Sequence, residues 1–304
     1  MSDDSIVDCR GVVKRFGDKV AVDSLDLRVE PGQIFAFLGE NGAGKTTTIR
    51  LMLGLMAADA GEVRLFGQAL RGHRRQLLAR TGALIEFPSF YGHLSGRENV
   101  ELVRRLRGAD PSESERVLDV VRLSGDAHRR AKHYSQGMKQ RLAVAMALIG
   151  SPQLVILDEP TNGLDPEGIR EIRRLIQRLP QETGATVFLS SHLLAEVEQT
   201  ATHVAIIKGG RLLFQGSMDD LAQRQAHQGV VGCDRPEEAA ALLSQKGWAV
   251  TLDEDELLID CTPQDLPVLG RQLIESGLEV SQLWGRRRSL EDLYFALTEG
   301  GTLR

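Results

Sequence analysis

Short apolar runs set off by turn residues open the chain. "SIVDCRGVVKRFG", "KVAVDSLDLRVE" and "QIFAFLG" fall within residues 5–39, separated at Gly17-Asp18 and Pro31-Gly32, and each predicts a strand. The stretch "AGEVRLFGQ", residues 60–68, continues in the same style. From about residue 88 to 150 the pattern turns helical. Ser95-Gly-Arg-Glu98 has the form of a capping box ahead of "RENVELVRRLRG", and Ser112 with Glu115 repeats it ahead of "RVLDVVRLSG". "MKQRLAVAMALIG" predicts a further amphipathic helix.

At residue 154 the chain returns to a buried strand, "LVILD". Asp165-Pro166-Glu167 then supplies an N-cap, a first-turn proline and an acidic first turn for the helix "EGIREIRRLIQRL". "ATVFLSSH" reads as a strand, "LLAEVEQTA" as a helix, and "HVAIIKGGRLLFQG" as a hairpin turning at Gly209-Gly210. Strands alternating with helices predict a parallel sheet covered on both faces. That first domain is expected to span residues 1–218, with a helical subdomain at about 88–150. Residues 219–304 read as a separate α/β unit, with strands at 229–233, 248–252, 256–261 and 278–284 and helices at 236–246 and 264–276. A last helix is expected from Ser289 to Thr298. The β-α-β-β-α-β order suggests a ferredoxin-like sandwich.

The chain's 304 residues allow about two domains, and 26% charged residues with ordinary aliphatic content argue against disorder. A net charge of −5 gives no general case for nucleic-acid binding, and the basic clusters at Arg71–Arg75 and Arg286–Arg288 read as solvated faces. Cys9, Cys233 and Cys261 are far apart and form no C-x-x-C pair, which suits a reducing cytosol better than a zinc cluster or disulfide scaffold. The N-terminus lacks the basic and apolar regions of a signal peptide, and no run approaches the roughly 20 apolar residues of a membrane span.

The candidate chemistry begins in "FLGENGAGKTTTIR", residues 37–50. Gly39, Gly42 and Gly44 lie between a predicted strand and a predicted helix, where backbone N–H groups can converge on an anion at the helix N-terminus. Gly39-x-x-x-x-Gly44-Lys45-Thr46 fits the P-loop pattern, in which Lys45 reaches the β- and γ-phosphates and the Thr46 hydroxyl ligates Mg²⁺. "LVILDEP" brings Asp158 to the carboxyl edge of the sheet, suited to contact Mg²⁺ through water, and Glu159 beside it suits the general base for an attacking water. In "YSQGMKQRL" the Ser135 hydroxyl and Gly137 N–H lie at a helix N-terminus, suited to a second anion contact. His192, just after "TVFLSS", falls near the γ-phosphate end of such a site.

Together these segments resemble the nucleotide-binding subunit of ABC transporters, almost continuously over the first 218 or so residues. "GENGAGKTT" is similar to the Walker A segment, "LVILDEP" to Walker B, "NGLD" to the D-loop and "SSH" to the switch histidine. "YSQGMKQ" resembles the signature segment, although Gln136 stands where the commonest form has Gly and Met138 where it has Gln. The resemblance implies an α/β P-loop NTPase domain with a helical subdomain. It implies nucleotide contacts from Gly39, Asn41, Gly42, Ala43, Gly44, Lys45, Thr46 and Thr47, and adenine stacking on Phe16. It also implies an ATP-bound homodimer in which each P-loop faces Ser135 and Gly137 of the other copy, and a separate transmembrane permease docked near residues 86–98.

One departure marks a subtype. The family usually ends the strand after "TGALI" with Gln, a ligand of Mg²⁺ and water; this chain has Glu86, which resembles bacitracin- and lantibiotic-type exporters. The tail "SLEDLYFALTEG" resembles the same group. The expectation is therefore an ATP-hydrolysing exporter subunit on the cytoplasmic face of the membrane. The alternative is a soluble ATPase of the same family acting on a ribosome or another macromolecular complex. Ribosome-associated relatives usually carry two cassettes in one chain, and repair ATPases insert a long coiled coil; this chain has one cassette and no heptad insertion.

Overall fold

The computed structural model describes residues 5–86, 89–224, 227–253 and 256–287. The chain forms two compact units, Met1–Met218 and Asp219–Arg304. In the first, β1 (Val7–Phe16), β2 (Lys19–Val29), β4 (Ala60–Leu65) and β5 (Gln68–Ala69) make an antiparallel sheet in the order β2-β1-β4-β5. The second sheet holds β3 (Ile34–Leu38), β6 (Thr81–Leu84), β7 (Leu154–Leu157), β8 (Thr186–Ser191), β9 (His203–Lys208) and β10 (Arg211–Ser217). Its order is β10-β9-β3-β8-β7-β6, parallel throughout except for the β9–β10 hairpin.

Helices cover the parallel strands, so β3, β7 and β8 have no solvent face. Every residue of all three is buried, which is why they read as unbroken apolar runs rather than alternating ones. Helix α1 (Lys45–Met52) inserts Ile49 and Met52 between the two sheets, and one core runs from Val7 and Leu25 through Phe37 to Phe188. Phe35 stacks on Phe188 across neighbouring strands, with ring centroids 5.7 Å apart.

Helix α2 (Leu70–Ala79) carries the basic cluster, broken at its start by a positive φ of 94° at Gly72. The sequence reading assigned no helix there. Its polar face masks the periodicity, and only Leu70 and Leu77 are buried. Helices α3 (Gly96–Arg107), α4 (Glu113–Val120) and α5 (Gln136–Leu148) pack together around Val100, Val117 and Leu142. The capping box at α3 forms: Ser95 Oγ accepts from the Glu98 N–H at 3.2 Å, and Glu98 accepts from the Ser95 N–H at 2.7 Å. That backbone hydrogen bond holds the Glu98 carboxyl below the usual range.

The second expected box does not form. Ser112 already has helical φ and ψ, −65° and −22°, and its side chain caps nothing. Asp110 accepts instead, from the Ser112 N–H at 2.9 Å and its hydroxyl at 2.6 Å. A carboxylate two residues upstream is the stronger acceptor and takes the role. Helix α6 (Pro166–Thr183) starts as its sequence indicates, with Asp165 accepting from the Gly168 N–H at 2.9 Å, and α7 (Leu194–Thr200) follows β8.

Helix α8 (Met218–Arg224) leads into the second unit. There β11 (His227–Cys233), α9 (Pro236–Gln245), β12 (Val250–Asp253), β13 (Glu256–Asp260), α10 (Leu266–Glu275) and β14 (Val280–Arg287) follow in order. The sheet order β12-β13-β11-β14, antiparallel throughout, is that of a ferredoxin-like sandwich. Val231, Leu257, Leu269 and Leu273 form its core. The helix expected over Ser289–Thr298 lies outside the described residues.

The contrast between the two caps is measurable. Ser95→Ala is expected to lower unfolding stability by about 0.5–2 kcal/mol, the range for a lost N-cap. Ser112→Ala should change it by less than about 0.5 kcal/mol. Equal losses in denaturant titrations would contradict the assignment of Asp110 as the acceptor.

Candidate functional site

Strands β3 and β8 end level, Leu38 pairing with Ser191, and β7 ends two residues short of them, Leu157 pairing with Leu189. Their carboxyl ends therefore deliver the loop before α1, the acids after β7 and the end of β8 to one edge, where α/β sheets bind ligands. The glycines of that loop have separate physical reasons. A methyl group on Gly39 would lie 2.5 Å from the Ile207 carbonyl oxygen, and one on Gly44 would lie 2.4 Å from that of Ala21. Gly42 has open space but a φ of 84°, where other L-residues are strained.

A cavity of about 280 Å³ opens beside the loop, lined by Phe16, Asn41, Lys45, Thr46, Thr47 and Glu159 among others. Phe16 ends β1, 48% exposed, with the Lys14 ammonium 5.7 Å from its ring centroid. Gly42 and Gly44 also line the cavity. Gly39 and Ala43 support the loop behind it: the Ala43 N–H donates to the Glu40 carbonyl, and its own carbonyl accepts from the Gly210 N–H.

Lys45 is almost fully buried. Its ammonium donates to the Gly39 carbonyl at 2.7 Å and the Glu40 carbonyl at 3.2 Å, and it lies 3.1 Å from a Glu159 carboxylate oxygen. The other Glu159 oxygen is 2.7 Å from His192 Nδ1. Glu159 thus sits between a cation and the histidine at the mouth of the phosphate loop. Its backbone has a φ of 48°, a left-handed conformation that costs a non-glycine residue roughly 1–3 kcal/mol.

Asp158 is 1% exposed. Its carboxylate accepts from the Thr46 hydroxyl at 3.0 Å and from the Ser190 hydroxyl at 2.6 Å. Ser190 also accepts the Glu159 N–H at 2.9 Å. In the sequence Ser190 reads only as a member of the strand "TVFLSS" and of "SSH", with no role of its own. The one signal for it was a hydroxyl in a strand whose other members are mainly apolar.

Not every expected residue joins this cluster. Ser135 caps α5, accepting from the Met138 N–H at 3.2 Å, and is exposed; Gly137 lies two residues on, near Gly168. Neither lines the cavity beside the loop. Glu86 has a φ of 57° and forms an ion pair with Arg50 of α1, and no hydrogen bond among the described residues joins it to Thr46 or Asp158. Tyr91 is fastened to α3 by Asn99, which accepts from the Tyr91 N–H at 2.7 Å and donates to the Tyr91 carbonyl at 3.0 Å.

The fit to a metal rests on the donors present. Thr46 and Asp158 offer an all-oxygen pair beside the phosphate loop, the hard donors that Mg²⁺ prefers.

Comparison with known proteins matches residues 22–162 to the ABC transporter family. The chain is 37% identical to the bacitracin transport ATP-binding protein BcrA of Bacillus licheniformis, over 98% of this chain and 99% of that one. It is also 37% identical to the lantibiotic transport ATP-binding protein SrtF of Streptococcus pyogenes, over 68% of this chain and 88% of the relative. Among solved structures, an ATP-binding subunit of an ABC transporter matches with a TM-score of 0.63 and 28% identity, covering 72% of this chain and 92% of its own.

Removing the buried ammonium tests the loop directly. Lys45→Ala is expected to weaken ATP binding by about 10- to 100-fold, the worth of a charged hydrogen bond to phosphate. An unchanged dissociation constant in calorimetry would remove Lys45 from the site.

Proposed function

The chain belongs to the ABC transporter family, and we propose that it is the ATP-hydrolysing subunit of a bacterial exporter for antibiotics, drugs or peptides. The observation that carries this reading is the Glu159 carboxylate held between Lys45 and His192 at the mouth of the phosphate-loop cavity. Relatives named for bacitracin and lantibiotic transport direct it toward export rather than toward a ribosome-bound ATPase.

In this reading the loop N–H groups and Lys45 receive the β- and γ-phosphates of ATP, and adenine stacks on Phe16. Thr46 and Asp158 would hold Mg²⁺, which when bound neutralises charge on the phosphate oxygens. Lys45 is then drawn from Glu159 toward the γ-phosphate, because a phosphate carries more charge than a carboxylate. Glu159, released on that side, accepts the proton of the attacking water, and His192 fixes its orientation. Ser135 and Gly137 of a second copy complete the phosphate contacts, since in one chain they lie outside the cavity. Glu86, which pairs with Arg50, would supply a further carboxylate to Mg²⁺.

No helix among the described residues is long and apolar enough to cross a membrane. Attachment to the cytoplasmic face runs through a separate permease, against the segment at 86–98. Asn99 holds the Tyr91 backbone, and the Tyr91 residue is 60% exposed. The boundaries at 218 and 219 divide this ATPase from the accessory α/β unit.

Glu159→Gln is expected to reduce ATP turnover about 10²- to 10⁴-fold while ATP binding persists, because only proton acceptance is lost. The same variant should elute as a dimer with ATP. Near-normal phosphate release would remove Glu159 from its role.

A further inference from the structure

We propose that Ser190 is a positioning residue for ATP hydrolysis, holding Glu159 in its working conformation through a hydroxyl bridge to Asp158. The inference rests on the reading of Glu159 as the general base. Ser190 is completely buried at the carboxyl end of β8, alongside β7. Its single oxygen accepts the Glu159 N–H at 2.9 Å and donates its own proton to Asp158 at 2.6 Å. Donor and acceptor capacity are both used, and in opposite directions.

The bridge matters because of where Glu159 sits on its backbone. A φ of 48° is not a conformation glutamate keeps unaided. The bond from its N–H to Ser190 is a restraint on that turn, and the turn aims the carboxylate at Lys45 and His192. Ser190 touches neither Lys45 nor His192 among the described contacts, so its influence passes through Glu159 and Asp158. An alanine here would strand the Glu159 N–H and remove one of the two hydroxyls on the buried Asp158 carboxylate. The turn could then relax toward the ordinary helical or extended region and swing the base away from the water.

The test compares wild type, Ser190→Ala, Glu159→Gln and the double variant in steady-state ATP hydrolysis and in ATP binding. Ser190→Ala is expected to lower kcat about 10- to 100-fold, the scale of a misplaced catalytic group, with the ATP dissociation constant nearly unchanged and the thermal midpoint lowered by the stranded N–H. In the Glu159→Gln background the same substitution should alter residual turnover by less than about twofold, because the group it positions is already disabled. Ser190→Cys, close in size but a weak hydrogen-bonding group, should show the same loss of kcat and serves if the alanine variant does not fold. Wild-type kcat in Ser190→Ala or Ser190→Cys overturns the proposal. So does a loss that multiplies with that of Glu159→Gln, or one that vanishes at high Mg²⁺ and so belongs to Asp158 alone. Normal turnover in Glu159→Gln itself would instead overturn the assignment of the base, and this inference with it.

Discussion

The carboxylate of Asp158 is withdrawn from water at the carboxyl end of the central sheet, and its partners determine where the surrounding elements must lie. A buried charge without partners is expensive, so two hydroxyls are brought to it. Thr46 can reach it only if α1 starts where the glycine loop puts it. Ser190 can reach it only if β8 runs beside β7 in the observed register. The close approaches of Gly39 to Ile207 and of Gly44 to Ala21 then follow, since the loop must pass against β9 and β2 to deliver Thr46. The unbroken burial of β3, β7 and β8 supplies the rigidity behind the site.

Glu159 is different in kind. It is partly accessible, and its charge is balanced by groups that can leave. Lys45 serves three oxygens at once, two carbonyls of the loop and the Glu159 carboxylate. An arriving phosphate would compete for that ammonium on favourable terms, whereas Asp158 would keep its buried Ser190 partner. One acid is thus fixed and the other is poised to be released, although they are adjacent in sequence. The left-handed turn at Glu159 separates their directions.

What could be read in the sequence was what is encoded locally. The glycine loop announces itself because its glycines answer backbone constraints within a few residues. The Ser95 cap was legible because its partner, Glu98, is three positions away. Ser112 misled for the same reason: its spacing to Glu115 was right, but Asp110 was nearer the exposed N–H groups. Helix α2 escaped because its exposed arginines and histidine obscure the two buried leucines. The links from Arg50 to Glu86, and from Ser190 to Asp158 and Glu159, join residues more than 30 positions apart, and no spacing rule reaches them.

In the proposed function the neighbouring acids divide the work, Asp158 for the metal and Glu159 for water. Calorimetric titration of ATP into Asp158→Asn and Glu159→Gln, each with and without Mg²⁺, separates the two most directly. Asp158→Asn should lose the gain in ATP affinity that Mg²⁺ confers on the wild type, and Glu159→Gln should keep it. If both variants keep that gain, or both lose it, the two carboxylates do not divide the work and the account fails.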